Sequence, residues 1–154
     1  MSDNPFDGFF DAELAKALDE VEKSGFGPYE EIPEGIYLMN FEDLKYGTSQ
    51  NGNPKATFRF RVVGGTYDDR VVFHTVTFSL KSAKSKAFGI HNFRTLLKDM
   101  MVFDEVPRFE SPEDFDKVTK RLEEIDFEVL LYRVKFGKDG KGYQIFSIED
   151  VESV

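Results

Sequence analysis

From Lys55 to Val63 the chain alternates without a break, with Ala56, Phe58, Phe60 and Val62 on one face and Lys55, Thr57, Arg59 and Arg61 on the other. A period of two fits an extended strand and no helix, because successive side chains of a strand point to opposite faces. The apolar face needs a core and the cationic face needs water or an anion. The chain must therefore build a half-buried sheet with a basic outer surface.

The remaining segments supply that sheet's partners. Ile36 to about Lys45 reads as the preceding strand. Gly64-Gly65 and Asp68-Asp69 turn the chain into a third strand, Val71 to Leu80. Its expected core face is Val72, Val76, Phe78 and Leu80 with His74 among them, and its other face is Val71, Phe73, Thr75 and Thr77. A helix follows over about residues 86–101, with Ile90, Phe93, Leu97 and Met100 on its apolar side and Gly89 weakening its first turn. Ser111-Pro112-Glu113-Asp114 predicts a second helix start: Ser as N-cap, Pro in the first helical position and an acid in the third. Phe115, Val118, Leu122 and Ile125 form its buried stripe. A fourth strand over 127–136 and a fifth over 143–151 form a hairpin around Gly137-Lys-Asp-Gly-Lys-Gly142.

Before the strands, residues 1–10 read as a loose arm carrying Phe6, Phe9 and Phe10. A helix from Asp11 to about Lys23 ends at Gly25. Residues 1–28 are thus expected to form an N-terminal arm and helix, and residues 29–154 the main domain. That helix is left with three roles: capping the barrel, pairing with a second copy as a homo-oligomer, or docking elsewhere.

Three strands, a helical connection and two strands is the order of a five-stranded Greek-key barrel, the OB-fold, which accepts helices between strands three and four. The expected class is mainly β with helices. A plain β-meander with helices packed across it is the rival.

Composition narrows the partners. The chain has 154 residues, enough for one core, with 17 Phe and no Trp. It has no Cys, which excludes disulfides and thiolate metal sites. Met1 to Phe6 lack the basic start and apolar run of a signal peptide, and no apolar stretch approaches the roughly 20 residues that span a bilayer. A soluble cytoplasmic protein with no membrane partner is expected. The net charge is −9, yet residues 55–100 hold 9 Lys/Arg against 3 Asp/Glu, and no acid lies between Arg70 and Lys98. Such a chain has a directed field, and a polyanion is the first partner to consider.

In an OB-fold, ligands lie across strands two and three, between the loops joining strands one–two and four–five. Lys55, Arg59 and Arg61 stand on strand two, and Phe73 is their aromatic neighbour on strand three. Tyr46 opens the first loop. Lys135, Lys138, Lys141 and Tyr143 belong to the last hairpin, and Lys81, Lys84 and Lys86 follow strand three. Single-stranded DNA calls for this mixture: cations along a track for phosphates, and rings for exposed bases, each stacking contact contributing roughly 1–3 kcal/mol. Reading a duplex needs a helix or ribbon aimed at a groove, and the helix after Ser111 is acid-rich.

Catalytic signals are weak. His74 and His91 are the only histidines and lie in different elements, so neither completes a metal site. The glycines fit neither the phosphate-loop nor the dinucleotide spacing. Asp126-Phe-Glu128 is a single acid pair, the slender basis for a metal-dependent nuclease. No nucleophile–base set is visible, so a non-enzymatic protein without cofactor or metal is expected. The rival class is an acidic interaction module, a nucleic-acid mimic that binds a basic protein through the acidic first and last thirds.

Pro33-Glu-Gly35-Ile-Tyr37, Gly52-Asn-Pro54, Gly65-Thr-Tyr67-Asp-Asp-Arg70 and Phe88-Gly-Ile-His-Asn-Phe93 together resemble a bacteriophage family. It was first described as a domain of unknown function and is associated with phage OB-fold single-stranded-DNA-binding proteins. The likeness covers about residues 29–151 in order and spacing. It implies a protein that coats single-stranded DNA during phage replication or recombination in the bacterial host cytoplasm, alongside phage or host replication proteins. It implies no catalytic residue. Family members often carry a tryptophan near the start of strand three, where this chain has Phe73. The segment Asn4-Pro-Phe6-Asp-Gly-Phe-Phe10 has the chemistry to dock such partners.

Overall fold

The computed structural model describes residues 12–23 and 32–153. The arm and the docking segment expected before Asp11 lie outside the described residues. The chain divides into two compact units, with the division between Ile32 and Pro33. In the first, α1 spans Ala12–Lys23, with Glu13 in the first turn where the helix dipole favours an acid.

The second unit is a five-stranded antiparallel sheet with two helices. Its elements are β1 (Gly35–Thr48), β2 (Pro54–Val62), β3 (Val71–Thr77), α2 (Ala83–Asp99), α3 (Glu113–Glu123), β4 (Leu130–Lys138) and β5 (Gln144–Ser153). The strand order is β3-β2-β1-β4-β5. β1 is long enough to serve two partners: residues from Gly35 to Met39 pair with β4, and those from Met39 to Thr48 pair with β2. A bulge between Phe41 and Asp43 lies in the β2-paired half. An extra residue there bends and twists the strand, which suits one strand shared between two partners.

The barrel expected from the element order is not closed, because β3 and β5 remain edges without a mutual ladder. β3 stops at Thr77, and the chain leaves for α2, which packs against both β3 and β5. The two edges meet through side chains instead. The His74 ring stacks on Phe146 at 4.4 Å and 8°. Gln144 Nε2 donates to the Phe73 carbonyl at 3.0 Å, which turns Gln144 Oε1 toward His74 Nδ1, also at 3.0 Å. An oxygen acceptor there places the imidazole proton on Nδ1.

The core follows the period-two reading of β2: Ala56, Phe58, Phe60 and Val62 are all buried. Met39, Phe41, Leu44, Val72, Val76, Tyr132, Val134 and Ile148 complete the sheet's inner face. From α2 and α3 come Phe93, Leu97, Val118 and Leu122. Phe93 lies at the centre of an aromatic cluster, 5.8 Å from both Phe58 and Phe115 and 5.2 Å from Phe109. The buried Tyr132 hydroxyl donates to the Met100 carbonyl at 2.9 Å, and burial raises its pKa above the ordinary tyrosine value. Gly89 lets α2 approach β3 closely: a Cβ there would lie 3.0 Å from the Thr77 carbonyl oxygen and 3.1 Å from Phe78 Cα.

Three local readings are corrected. Leu80, expected in the core, is half-exposed, because β3 has ended and the Leu80 N–H bonds Asn53 Oδ1 in the β1–β2 loop at 3.1 Å. Ser111 makes no side-chain cap; α3 begins after Pro112, and Asp114 Oδ2 accepts the Glu110 N–H at 2.8 Å. That bond, helped by Lys117, holds the Asp114 carboxyl below its ordinary pKa. The fourth strand starts later than expected, because Phe127–Val129 form a 3-10 turn capped by Asp126, whose Oδ1 accepts the Glu128 N–H at 3.1 Å.

Candidate nucleic-acid interface

The outward residues of β1, β2 and β3 form a grid of rungs. Gly47, Lys55 and Thr77 share one rung; Lys45, Thr57 and Thr75 the next; Asp43, Arg59 and Phe73 the third. The Thr57 and Thr75 hydroxyls are 3.3 Å apart and brace the middle rung. These side chains line a groove of about 350 Å³ whose walls include Lys45, Tyr46, Lys55, Thr57, Arg59 and Phe73. The Phe73 ring is 55% exposed, an unusual state for so large an apolar group.

The β4–β5 hairpin reaches the same sheet edge. Asp139 Oδ1 accepts the N–H groups of Lys141 and Tyr143 at 2.8 and 3.0 Å, which fixes the turn and leaves Tyr143 70% exposed. The next residue, Gln144, is bonded to the Phe73 carbonyl, so the hairpin carrying Lys138, Lys141 and Tyr143 adjoins the Phe73 end of the grid.

At the opposite end, Phe78 N–H bonds the Pro54 carbonyl at 2.8 Å, tying the stretch that leads to Lys81 onto the start of β2. Lys84 and Lys86 are exposed on the first turns of α2. Lys135 stands apart: its neighbours across the ladders are Ile36 and Ser147, and it does not line the groove.

Two expected contacts are compromised by bonds within the chain. Tyr46 pairs with the buried Ala56, so it lies on the core side of β1. Its hydroxyl donates to the Phe115 carbonyl at 3.0 Å and its ring packs edge-on against Phe115 at 5.6 Å, with burial raising its pKa. It forms a wall of the groove rather than a free ring. Arg61 donates from Nε to Glu42 Oε1 at 3.2 Å and from Nη1 to the Asp69 carbonyl at 3.0 Å; the bond to Glu42 is the chief reason its pKa is raised. Arg59 Nε lies 3.2 Å from the same Glu42 oxygen, an ion pair whose geometry makes no hydrogen bond.

Glu42 was not foreseen from the sequence. As the bulge residue it joins Asp43 opposite Arg59, which puts two acids where the ladder has room for one. The apolar spacing Met39, Phe41, Leu44, two residues and then three, was the available signal. The bulge also marks a boundary in charge. A cavity of about 640 Å³ lies on its other side between β1 and the α3–β4 segment, and is lined by Glu42, Asp43, Glu123, Asp126 and Glu128 with Arg61. Among the described residues no group of three His, Asp or Glu is arranged to hold a metal ion, and no helix is long and apolar enough to cross a membrane.

A comparison with curated proteins returned no match. Residues 18–148 match the model of a family described as a protein of unknown function, DUF669. That match spans most of the sequence, and the chain is a member of the DUF669 family.

Proposed function

We propose that this protein is a non-catalytic single-stranded-DNA-binding protein of OB-fold type with little sequence preference, acting on phage DNA intermediates in replication or recombination. One observation carries the reading. Lys45, Lys55, Arg59 and the half-exposed ring of Phe73 share one solvent face of β1–β2–β3, next to a hairpin bearing Lys138, Lys141 and Tyr143. Cations spaced beside exposed rings match phosphates spaced beside unpaired bases. The strand order β3-β2-β1-β4-β5, with β1 shared between β2 and β4, supports the OB-type part of this reading, although β3 and β5 are not paired.

In this reading Arg59 and Lys55 contact phosphates and Phe73 stacks on a base, with Tyr46 walling the groove. Titrating a labelled oligothymidylate at increasing salt tests it. Binding should weaken with a log–log slope of about −0.7 per phosphate contact. Absence of binding at low salt would reject it. Incubation with magnesium or manganese should leave the DNA uncut, and cleavage would reassign the protein as a nuclease.

A second reading, an acidic module that binds a basic protein, draws on the 640 Å³ cavity and its five carboxylates. Replacing Glu123, Asp126 and Glu128 by Gln separates the two, since it leaves DNA affinity intact in the first reading and abolishes the partner contact in the second.

A further inference from the structure

Only two phenylalanines among the described residues are more than half exposed, Phe73 at 55% and Phe88 at 63%. The first lines the groove already described. The second has no role in the core: its neighbour Gly89 is the residue pressed against Thr77 and Phe78, and Phe88 turns to solvent on the first half of α2. That half of the helix is firmly set. Ser82 and Ser85 cap it reciprocally, each backbone N–H bonding the other's hydroxyl at 3.0 Å.

Phe88 lines a second groove of about 440 Å³ with Thr77, Ser79, Ser82, Lys84 and Ser85. Thr77 is the ladder partner of Lys55, which lines the first groove, so the two depressions are neighbours across the Lys55–Thr77 rung. From Phe73 to Thr77, β3 covers about 13 Å. The whole stretch from Val71 to Lys98 contains no acid and carries Lys81, Lys84 and Lys86.

We infer that the DNA track does not end at the sheet: it turns at the Lys55–Thr77 rung onto α2, where Phe88 is a second base-stacking platform and Lys84 its phosphate partner. The inference rests on the single-strand reading above and extends it to a part of the molecule outside the β2–β3 face. The ladder pair joining the two grooves and the absence of any acid from Val71 to Lys98 favour an unpaired polyanion as the occupant.

The chain has no tryptophan, so Phe88→Trp introduces a lone indole whose fluorescence a stacked base quenches. Oligothymidylates of about 4 and about 16 residues bracket the site sizes known for domains of this kind. The longer strand should quench the indole and the shorter one should not. Phe88→Ala and Lys84→Glu should weaken binding of the longer strand about fivefold or more and leave the shorter unchanged, while Arg59→Glu weakens both. If the unaltered protein binds both strands but Phe88→Ala changes neither affinity and the indole is not quenched, the extended track is wrong and the sheet site stands. An equal loss for both lengths also overturns it. If the unaltered protein binds neither strand, the underlying reading itself fails.

Discussion

Arg59 and Phe73 are direct partners in the β2–β3 ladder, so a guanidinium and a half-exposed ring share one rung on the solvent face. A phosphate and its own base are offset along a nucleic-acid strand in a similar way, and in the proposed reading each residue has a separate task. Arg59→Glu should lower single-strand affinity tenfold or more at low salt and flatten the salt slope, since a charge-assisted contact contributes about 1.5–3 kcal/mol. Phe73→Ala should cost about 1–3 kcal/mol with an unchanged salt slope, because stacking releases no counterion. Fluorescence anisotropy over a salt series measures both.

In the single-strand reading, Glu42 competes with DNA for Arg59 and Arg61, with which it forms ion pairs. Glu42→Gln keeps the shape of the bulge residue and removes its charge. Affinity should rise by up to about fivefold, the range of an exposed ion pair. Anisotropy titration at low salt checks this, and a loss of affinity would mean that Glu42 orients the guanidinium groups rather than occupying them.

Tyr46→Phe distinguishes a wall from a stacking platform. The lost hydroxyl bond to the Phe115 carbonyl should cost about 1 kcal/mol of stability, read from urea unfolding. Single-strand affinity should be unchanged, since the ring and its edge-on contacts remain.

The clasp between the free edges predicts a pH dependence. Burial lowers the His74 pKa below its ordinary 6.5, with the bond to Gln144 opposing the shift. The unfolded chain then binds the proton more readily, so stability is complete above pH 6.5 and falls as the pH drops from there toward the folded-state value. Asp99 and His74 line one cavity of about 370 Å³; burial, with Glu149 nearby, raises the Asp99 pKa above 3.8, so its effect has the opposite sign and belongs to more acid solution. Thermal unfolding between pH 7 and 5 should show the loss, and His74→Gln should remove most of it.

Gly89→Val should destabilise the fold by about 1–3 kcal/mol, the usual cost of overpacking, because the new side chain meets the Thr77 carbonyl and the Phe78 backbone. In an exposed helix position the same exchange would be near neutral or favourable. Urea midpoints of the two proteins measure the difference.

Local patterning made β2 readable, since each of its four apolar residues is buried and each of its cations points outward. The exposure of Phe73 followed from the same parity. What local patterning could not supply was cross-strand. The pairing of Glu42 with Arg59 and Arg61 depends on a bulge that shifts register by one residue, and the end of β3 at Thr77 depends on where α2 docks. Tyr46 looked like a loop residue until β1 continued to Thr48 and gave it a facing. The seam was invisible for a similar reason, because its contacts join residues about 70 positions apart.

The acid in the β1 bulge makes the groove partly self-neutralised before any ligand arrives. In the proposed reading, a phosphate that reaches Arg61 must displace a tethered carboxylate, so the ion pair it breaks offsets part of the attraction it gains. In that reading, such a groove would hold a strand more loosely than its tally of cations implies and would let the next protein along the DNA dislodge it.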